Sequence, residues 1–286
     1  AGPVGAAFAF LVTGFGLHTA QTTGLALATD IVPPEKRPRV VALLYVMLLA
    51  GMIAASIFYS IFLVDFSHKQ LIQVIQGTAL FTLVINVIAI WKQEARNPSR
   101  TAAGRKMPGF FEALEDYRKH PGTMRLLLAV ALGSAAFSMQ DILLEPYGGE
   151  ILGMSVAQTT LLTGLWAAGT MSGFAWAAYS LNHGAHMYRV AARGLLIGIA
   201  SFSAIIFASP VGLDGLFFAG AAGVGLGGGL FAVCTMLAAM GISKRADSGV
   251  LVGAWSAVQA TAIGVSLLLG GVIKNAINTL AYSVQR

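Results

Sequence analysis

The sequence predicts an all-α integral membrane protein, and three observations support that fold class. The chain of 286 residues is 56% hydrophobic and only 10% charged, whereas soluble domains carry about 25% charged residues. Eight segments are long and apolar enough for a membrane helix, which needs about 20 mostly apolar residues. The lysines and arginines lie almost entirely between these segments. A water-facing surface cannot be built from so few charges, so the helices must face lipid.

The first three predicted spans lie before a long basic connection. They are Pro3–Val32, Pro38–Val64 and Gln70–Trp91. The first is followed by Pro33-Pro34, and the missing N–H and fixed backbone angle of proline end a helix there. The second begins with a proline, which is tolerated in the first helical turn because its missing N–H has no partner there.

The long connection of residues 93–122 is predicted to be a cytoplasmic linker between a first part, residues 1–92, and a second part, residues 123–286. Apolar residues recur near its centre at helical spacing: Phe110, Leu114 and Tyr117. This spacing predicts a short amphipathic helix, which either lies on the membrane surface or forms an exposed linker.

Five further spans follow the linker. They are Thr123–Pro146, Val156–Leu181, Met187–Ala208, Leu213–Ile242 and Gly249–Lys274. At the end of the first of them, Pro146 and the pair Gly148-Gly149 predict that the helix stops, because proline and glycine both disfavour a continued helix.

The distribution of basic residues predicts the topology. Fifteen of the eighteen lysines and arginines lie in or next to the first, third, fifth and seventh connections. Because basic loops stay on the cytoplasmic side, the odd-numbered connections are predicted to be cytoplasmic. The net charge of +6 is explained by these loops facing an anionic lipid leaflet, and it gives no reason to expect nucleic acid.

A glycine-rich stretch, Gly223-Val-Gly-Leu-Gly-Gly228, matches the letters of a dinucleotide-binding fingerprint. That fingerprint requires a preceding strand, whereas this stretch lies inside a predicted membrane span. Glycines in a membrane helix let neighbouring helices approach closely, and they would also offer a flat face to a large planar ligand. Close packing is the expected role.

Polar groups at membrane depth are the candidate functional residues, because hydrocarbon penalises them. His18 lies in the middle of the first span near Gln21, where it either ligates the magnesium of a chlorophyll or is a hydrogen-bonded core histidine. Asp141 and Glu145 lie one helical turn apart, which suits either proton coupling or an exposed helix end. Trp255 either stacks on a ligand ring or packs in the core. The sequence contains no catalytic triad, metal-binding cluster or phosphate loop, so we do not expect an enzyme.

Three stretches of the chain resemble the PucC/LhaA family, the bacteriochlorophyll-delivery branch of the major facilitator superfamily. They are Gly16–Asp30, Gln140–Glu150 and Gly253–Thr261. The resemblance implies a major facilitator helix bundle of which about eight of twelve helices are present. Family helices 4–6 would precede the linker and helices 7–11 would follow it.

The resemblance also implies a function. Members of this family assist assembly of the bacterial light-harvesting complexes LH1 or LH2 in the intracytoplasmic photosynthetic membrane. They would deliver or hold bacteriochlorophyll for the antenna α and β polypeptides, in a lipid environment and beside the reaction centre. The implied pigment contacts are His18, Gln21, Gln140, Asp141, Glu145, Tyr147, Trp255 and Gln259, with His18 as the magnesium ligand.

Two other functions stay open at this point. A secondary transporter would move a small solute by alternating access, although the scarcity of charge near the membrane midplane argues against an ionic substrate. A purely structural subunit would sit beside an antenna ring without holding pigment.

Overall fold

A computed structural model describes residues 2–33, 37–91, 115, 122–241 and 248–284, and this part of the chain is helical and contains no strand. The helices are α1 (Pro3–Ile31), α2 (Arg37–Phe62), α3 (His68–Ile90), α4 (Thr123–Ser138), α5 (Gln140–Pro146), α6 (Val156–Asn182), α7 (Met187–Val211), α8 (Asp214–Gly241) and α9 (Ser248–Val284). The predicted linker and its amphipathic helix lie outside the described residues, apart from Glu115 and Gly122. The domain boundaries at the linker therefore stay a prediction.

The all-α membrane fold is confirmed. Among the described residues, seven helical segments are long and apolar enough to cross a membrane, and Thr123–Ile151 counts as one of them. The fifth predicted span, Val156–Leu181, forms α6, a helix of 27 residues, but it is not one of the seven. Its many Gly, Ser and Thr residues make it less apolar, and nine of its residues are buried inside the protein. Small and polar residues of this kind are typical of contacts between membrane helices.

The α-helix ends at Pro146 as predicted, but no break follows it. Pro146 is the last residue of α5, and the chain continues directly into a π-helical turn, Tyr147–Ile151. In this wider turn the Leu152 N–H donates to the Tyr147 carbonyl at 3.2 Å. Such turns let a helix absorb an irregular residue without ending. The helical segment stops only before Gly153, which has a φ of 66°.

The chain divides into two compact units, Ala1–Met52 and Ile53–Arg286. The first holds α1 and the first part of α2. The second holds the end of α2 and every later helix, and it contains the hydrophobic core described below. Within it α9 continues to Val284, ten residues beyond the predicted end at Lys274.

The glycine-rich helix α8 is the centre of the second unit, and its glycines set how closely its neighbours approach. A Cβ atom at Gly229 would lie 2.5 Å from the carbonyl oxygen of Thr170 in α6. A Cβ at Gly227 would lie 2.5 Å from the carbonyl oxygen of Gly194 in α7. Both distances are far below van der Waals contact, so α8 touches two neighbouring backbones directly. The glycine stretch is a packing surface, as the sequence predicted.

Large apolar side chains fill the space between these glycine contacts. Phe217, Leu230 and Val224 of α8 have at most 1% of their surface exposed. Phe137 of α4 packs against both clusters that contain them, and it lies beside the glycine face of α8 near Gly228. The core is therefore built by α4, α6, α7 and α8 together.

Two serines attach the end of α2 to α6. The Ser56 hydroxyl donates to the Thr160 carbonyl at 2.6 Å and accepts the Gly164 N–H at 3.1 Å. One turn further, the Ser60 hydroxyl donates to the Ala157 carbonyl at 2.9 Å. Small residues allow the close approach, since a Cβ at Gly164 would lie 2.7 Å from the Ser56 hydroxyl oxygen.

Ser56→Ala is expected to lower the free energy of unfolding by roughly 0.6–1.7 kcal/mol, the range for hydrogen bonds between membrane helices. The matched control is Ser203→Ala, because the exposed Ser203 hydroxyl bonds only within α7, to the Ile199 carbonyl. Denaturant unfolding of the full-length protein in mixed micelles measures both. Equal stability of the two variants would mean that the bonds of Ser56 to α6 contribute nothing.

Candidate functional site

The candidate site lies where the helical segment Thr123–Ile151 packs beside α9, and the two helical segments run in the same direction. Contacts between the two follow in order: Trp255 with Leu126 and Val130, Ser138 with Ser266, Ile142 with Gly270, and Glu150 with Lys274. The site residues are therefore held by two parallel helices and not by a loop.

The joint between α4 and α5 is fixed by a pair of buried serines. The hydroxyl oxygens of Ser138 and Ser266 lie 2.7 Å apart. Each hydroxyl also lies 2.8 Å from a carbonyl of its own helix, that of Ser134 for Ser138 and that of Ile263 for Ser266. Because each hydroxyl has one proton, one serine donates to the other, which donates to its own helix. This pair anchors the helix joint two residues before the first candidate side chain.

Gln140 is the first residue of α5, and its side chain is 5% exposed. Its amide nitrogen donates to Oδ1 of Asp141 at 3.2 Å. Its amide oxygen is buried and has no hydrogen-bond partner in the described part of the chain. Leaving a buried acceptor unpaired costs about 1–3 kcal/mol, so this oxygen is the most unusual polar atom of the site.

Asp141 and Glu145 both lie on α5, one turn apart as predicted, and both are exposed. They differ in their neighbours. Asp141 accepts from Gln140, whereas Oε1 of Glu145 accepts from the Thr163 hydroxyl of α6 at 3.4 Å. The two carboxylates thus extend the polar surface from Gln140 toward α6.

Tyr147 connects the π-helical turn to the core. Its ring stacks on Phe217 with centroids 5.7 Å apart and planes inclined by 27°. Its hydroxyl donates to the Ile206 carbonyl of α7 at 3.4 Å. These contacts fix the end of the site segment against α7 and α8.

An exposed ion pair closes the same end of the site. Lys274 Nζ lies 3.8 Å from Oε1 of Glu150, which is 72% exposed. Because the Glu150 side chain is so exposed, the pair contributes little to stability.

Trp255 lies deep in the core beside Val130, which precedes Gln140 by ten residues. It is 3% exposed, and its indole N–H donates to the Thr235 hydroxyl at 3.2 Å. The structure therefore places Trp255 in packing. Gln259 follows one turn later on α9 and is half-buried.

His18 and Gln21 lie on α1, in the first compact unit. Gln21 is exposed, and the side chain of His18 lies outside the described part of the chain. The predicted magnesium ligation by His18 stays a prediction. The structure brings together Gln140, Asp141, Glu145 and Tyr147, and it places Trp255 and Gln259 further along α9.

Metal binding by a cluster of side chains is not seen in the described residues, which contain no group of three or more His, Cys, Asp or Glu. Two described histidines lie at helix ends with partners of their own. His183 is 2.8 Å from the Tyr179 carbonyl, and His186 stacks on Tyr188.

The contacts of Ser138 with Ser266 and of Glu145 with Thr163 were not expected from the sequence. Serines and threonines are frequent in membrane helices, and a single sequence does not tell which of them face each other. The register of α9 against α4 depends on helix contacts 128 residues apart.

Comparison with known proteins gives one consistent result. The family described as "PUCC protein" matches residues 1–285. A relative from Rhodobacter capsulatus, "Uncharacterized protein in puhA-bchM intergenic region", is 50% identical over 277 residues, which are 96% of this chain and 58% of the relative. "Protein PucC" from Rhodovulum sulfidophilum is 45% identical over 279 residues, or 96% of this chain and 62% of that protein.

A more distant relative from Rhodobacter capsulatus carries the name "Bacteriochlorophyll synthase 44.5 kDa chain". It is 26% identical over 272 residues, which cover 92% of this chain and 62% of that protein. The chain thus spans about 60% of the length of these relatives. No solved structure matches the chain.

Proposed function

The chain belongs to the PUCC protein family, and from this premise we propose that it is part of an assembly factor for a bacterial light-harvesting antenna complex, LH1 or LH2. The protein would deliver or hold bacteriochlorophyll for insertion into the antenna α and β polypeptides. It would act by binding and not as an enzyme. The observation that carries the proposal is the family match over residues 1–285.

The residues of the site fit a magnesium-containing pigment. Mg²⁺ is a hard cation that prefers oxygen ligands, and the amide oxygen of Gln140 is buried without a hydrogen-bond partner in the described structure. Bound pigment would supply its light absorption to the finished antenna. The chain's own residues would hold and orient it and keep water away.

We propose the other predicted residues as further pigment contacts or positioning groups. Asp141, Glu145 and Tyr147 surround the Gln140 end of the site, and Trp255 and Gln259 lie along α9. His18 and Gln21 of α1 stay proposed pigment contacts of the first unit. The partners would be antenna polypeptides, the reaction centre and membrane lipids, in the intracytoplasmic membrane with the odd-numbered connections cytoplasmic.

Deleting the gene in its photosynthetic host tests this function. We expect the deletion strain to lose most of the absorption of one antenna complex, and the full-length protein supplied in trans to restore it. Pigment and antenna polypeptides should also co-purify with the tagged full-length protein. Unchanged antenna absorption combined with uptake of a small solute by proteoliposomes would instead favour the secondary transporter.

A further inference from the structure

We infer that the amide oxygen of Gln140 would bind the pigment's magnesium ion, an assignment that rests on the proposed function. Gln140 is 5% exposed, and its Oε1 has no hydrogen-bond partner in the described part of the chain. A buried polar atom is normally paired. An unpaired one in a predicted binding protein indicates that a ligand supplies the missing partner.

Asp141 determines which end of the amide is left unpaired. A carboxylate only accepts hydrogen bonds, so the atom of Gln140 that lies 3.2 Å from Oδ1 of Asp141 must be the amide nitrogen. The oxygen is then the free end. The neighbouring residue thus orients the glutamine as an acceptor, and we assign Asp141 as a positioning residue.

The chemistry of the pigment selects the metal as the partner of this oxygen. The periphery of bacteriochlorophyll carries carbonyl groups, which are acceptors and cannot pair with another acceptor. Its central Mg²⁺ is the one Lewis acid it offers. A neutral amide oxygen binds such an ion without bringing a net charge into the apolar layer, where a charged ligand would be costly.

The other candidate ligands of the second unit are less suitable. Asp141 and Glu145 are exposed at the surface of α5, and each already accepts a hydrogen bond. The side chains of His183 and His186 lie at the ends of α6 and α7, where they contact Tyr179 and Tyr188. Gln140 alone among these is both buried and unpaired. Because its oxygen is covered in this structure, pigment entry must displace a neighbouring side chain.

A comparison of two pigments tests the assignment. Bacteriopheophytin has the macrocycle of bacteriochlorophyll with two protons in place of Mg²⁺. Full-length protein stripped of pigment and reconstituted in nanodiscs should bind bacteriochlorophyll at least about tenfold more tightly than bacteriopheophytin, about 1.4 kcal/mol. Gln140→Leu should lose this preference. Gln140→His should keep it, with a shifted absorption band, because imidazole also ligates the ion.

Two controls separate ligation from folding. Gln76→Leu changes an exposed glutamine of α3, a helix without buried residues, and should keep the preference. Gln140→Leu should change the thermal midpoint of the pigment-free protein little, because the lost hydrogen bond to Asp141 is offset by removal of the unpaired buried oxygen. A purely structural glutamine would instead show a lowered midpoint.

The outcomes also separate the inference from the proposed function. If wild-type protein binds neither pigment, the proposed function fails together with the inference. If wild-type protein prefers bacteriochlorophyll and Gln140→Leu keeps that preference, the inference alone is wrong. Loss of the preference in His18→Phe but not in Gln140→Leu would assign the magnesium ligand to His18.

Discussion

Gly229→Ala should destabilise the helix bundle, whereas Gly215→Ala in the same helix should leave its stability unchanged or slightly higher. The new methyl group at position 229 would lie 2.5 Å from the Thr170 carbonyl oxygen and 3.1 Å from the Thr170 Cα. Both atoms belong to the backbone, so no side-chain rotation relieves the overlap and α6 and α8 must separate. Overpacking of this kind costs about 1–3 kcal/mol.

Gly215 provides the matched control because a Cβ there meets nothing within 4 Å. Alanine also favours a helix over glycine by about 1 kcal/mol. The measurement is the unfolding free energy of the full-length variants in mixed micelles, together with the yield of folded protein. Equal loss of stability in the two variants would show that α8 does not use its glycines for close packing.

Trp255→Ala should lower the free energy of unfolding by about 3–5 kcal/mol, the usual cost of removing a large core side chain. Trp255 is 3% exposed and packs with Leu126, Val130, Ala238 and Ala239. Trp255→Phe should cost much less, because it keeps most of the ring volume and loses the hydrogen bond to Thr235, worth about 1 kcal/mol.

The control for this prediction is Trp91→Ala, since Trp91 is 73% exposed at the end of α3. Thermal unfolding of the pigment-free full-length protein separates core packing from pigment contact. If Trp255→Ala unfolds like wild type yet binds less bacteriochlorophyll, Trp255 is a pigment contact and its packing is of minor importance.

The sequence predicted the helices well because apolar length alone distinguishes membrane spans from loops. The span predicted at Val156–Leu181 is present as α6, although its composition is less apolar than that of the seven other segments. A helix surrounded by protein can carry serine, threonine and glycine and still belong to the bundle. One sequence does not reveal which helix is surrounded by protein.

The π turn after α5 could not be predicted for a different reason. Pro146 and Gly148-Gly149 are each typical of a helix end, and the expectation was a break. The structure instead widens the helix into a π turn, which Tyr147 holds through its contacts with Phe217 and Ile206. Tertiary contacts therefore overcame the local preference, and those contacts involve residues about 60–70 positions away.

The candidate site was only partly predictable. Helical periodicity correctly placed Asp141 and Glu145 one turn apart. The oxygen of Gln140 is unpaired because the described helices around it place no hydrogen-bond donor within reach. A single sequence does not show which donors lie near a given side chain. Three-dimensional contacts were needed to distinguish Gln140 from the chain's other glutamines.

The weakly apolar composition of α6 has a consequence for biogenesis. During synthesis, a single segment with so many hydroxyl groups and glycines gains little free energy by moving from the translocation channel into lipid. The turn after Asn182 is short, and α7 begins at Met187, so the two segments can partition into lipid as a hairpin. We expect α6 to enter the bilayer only after the ribosome has synthesised α7. Its stable docking in the bundle requires α8 as well.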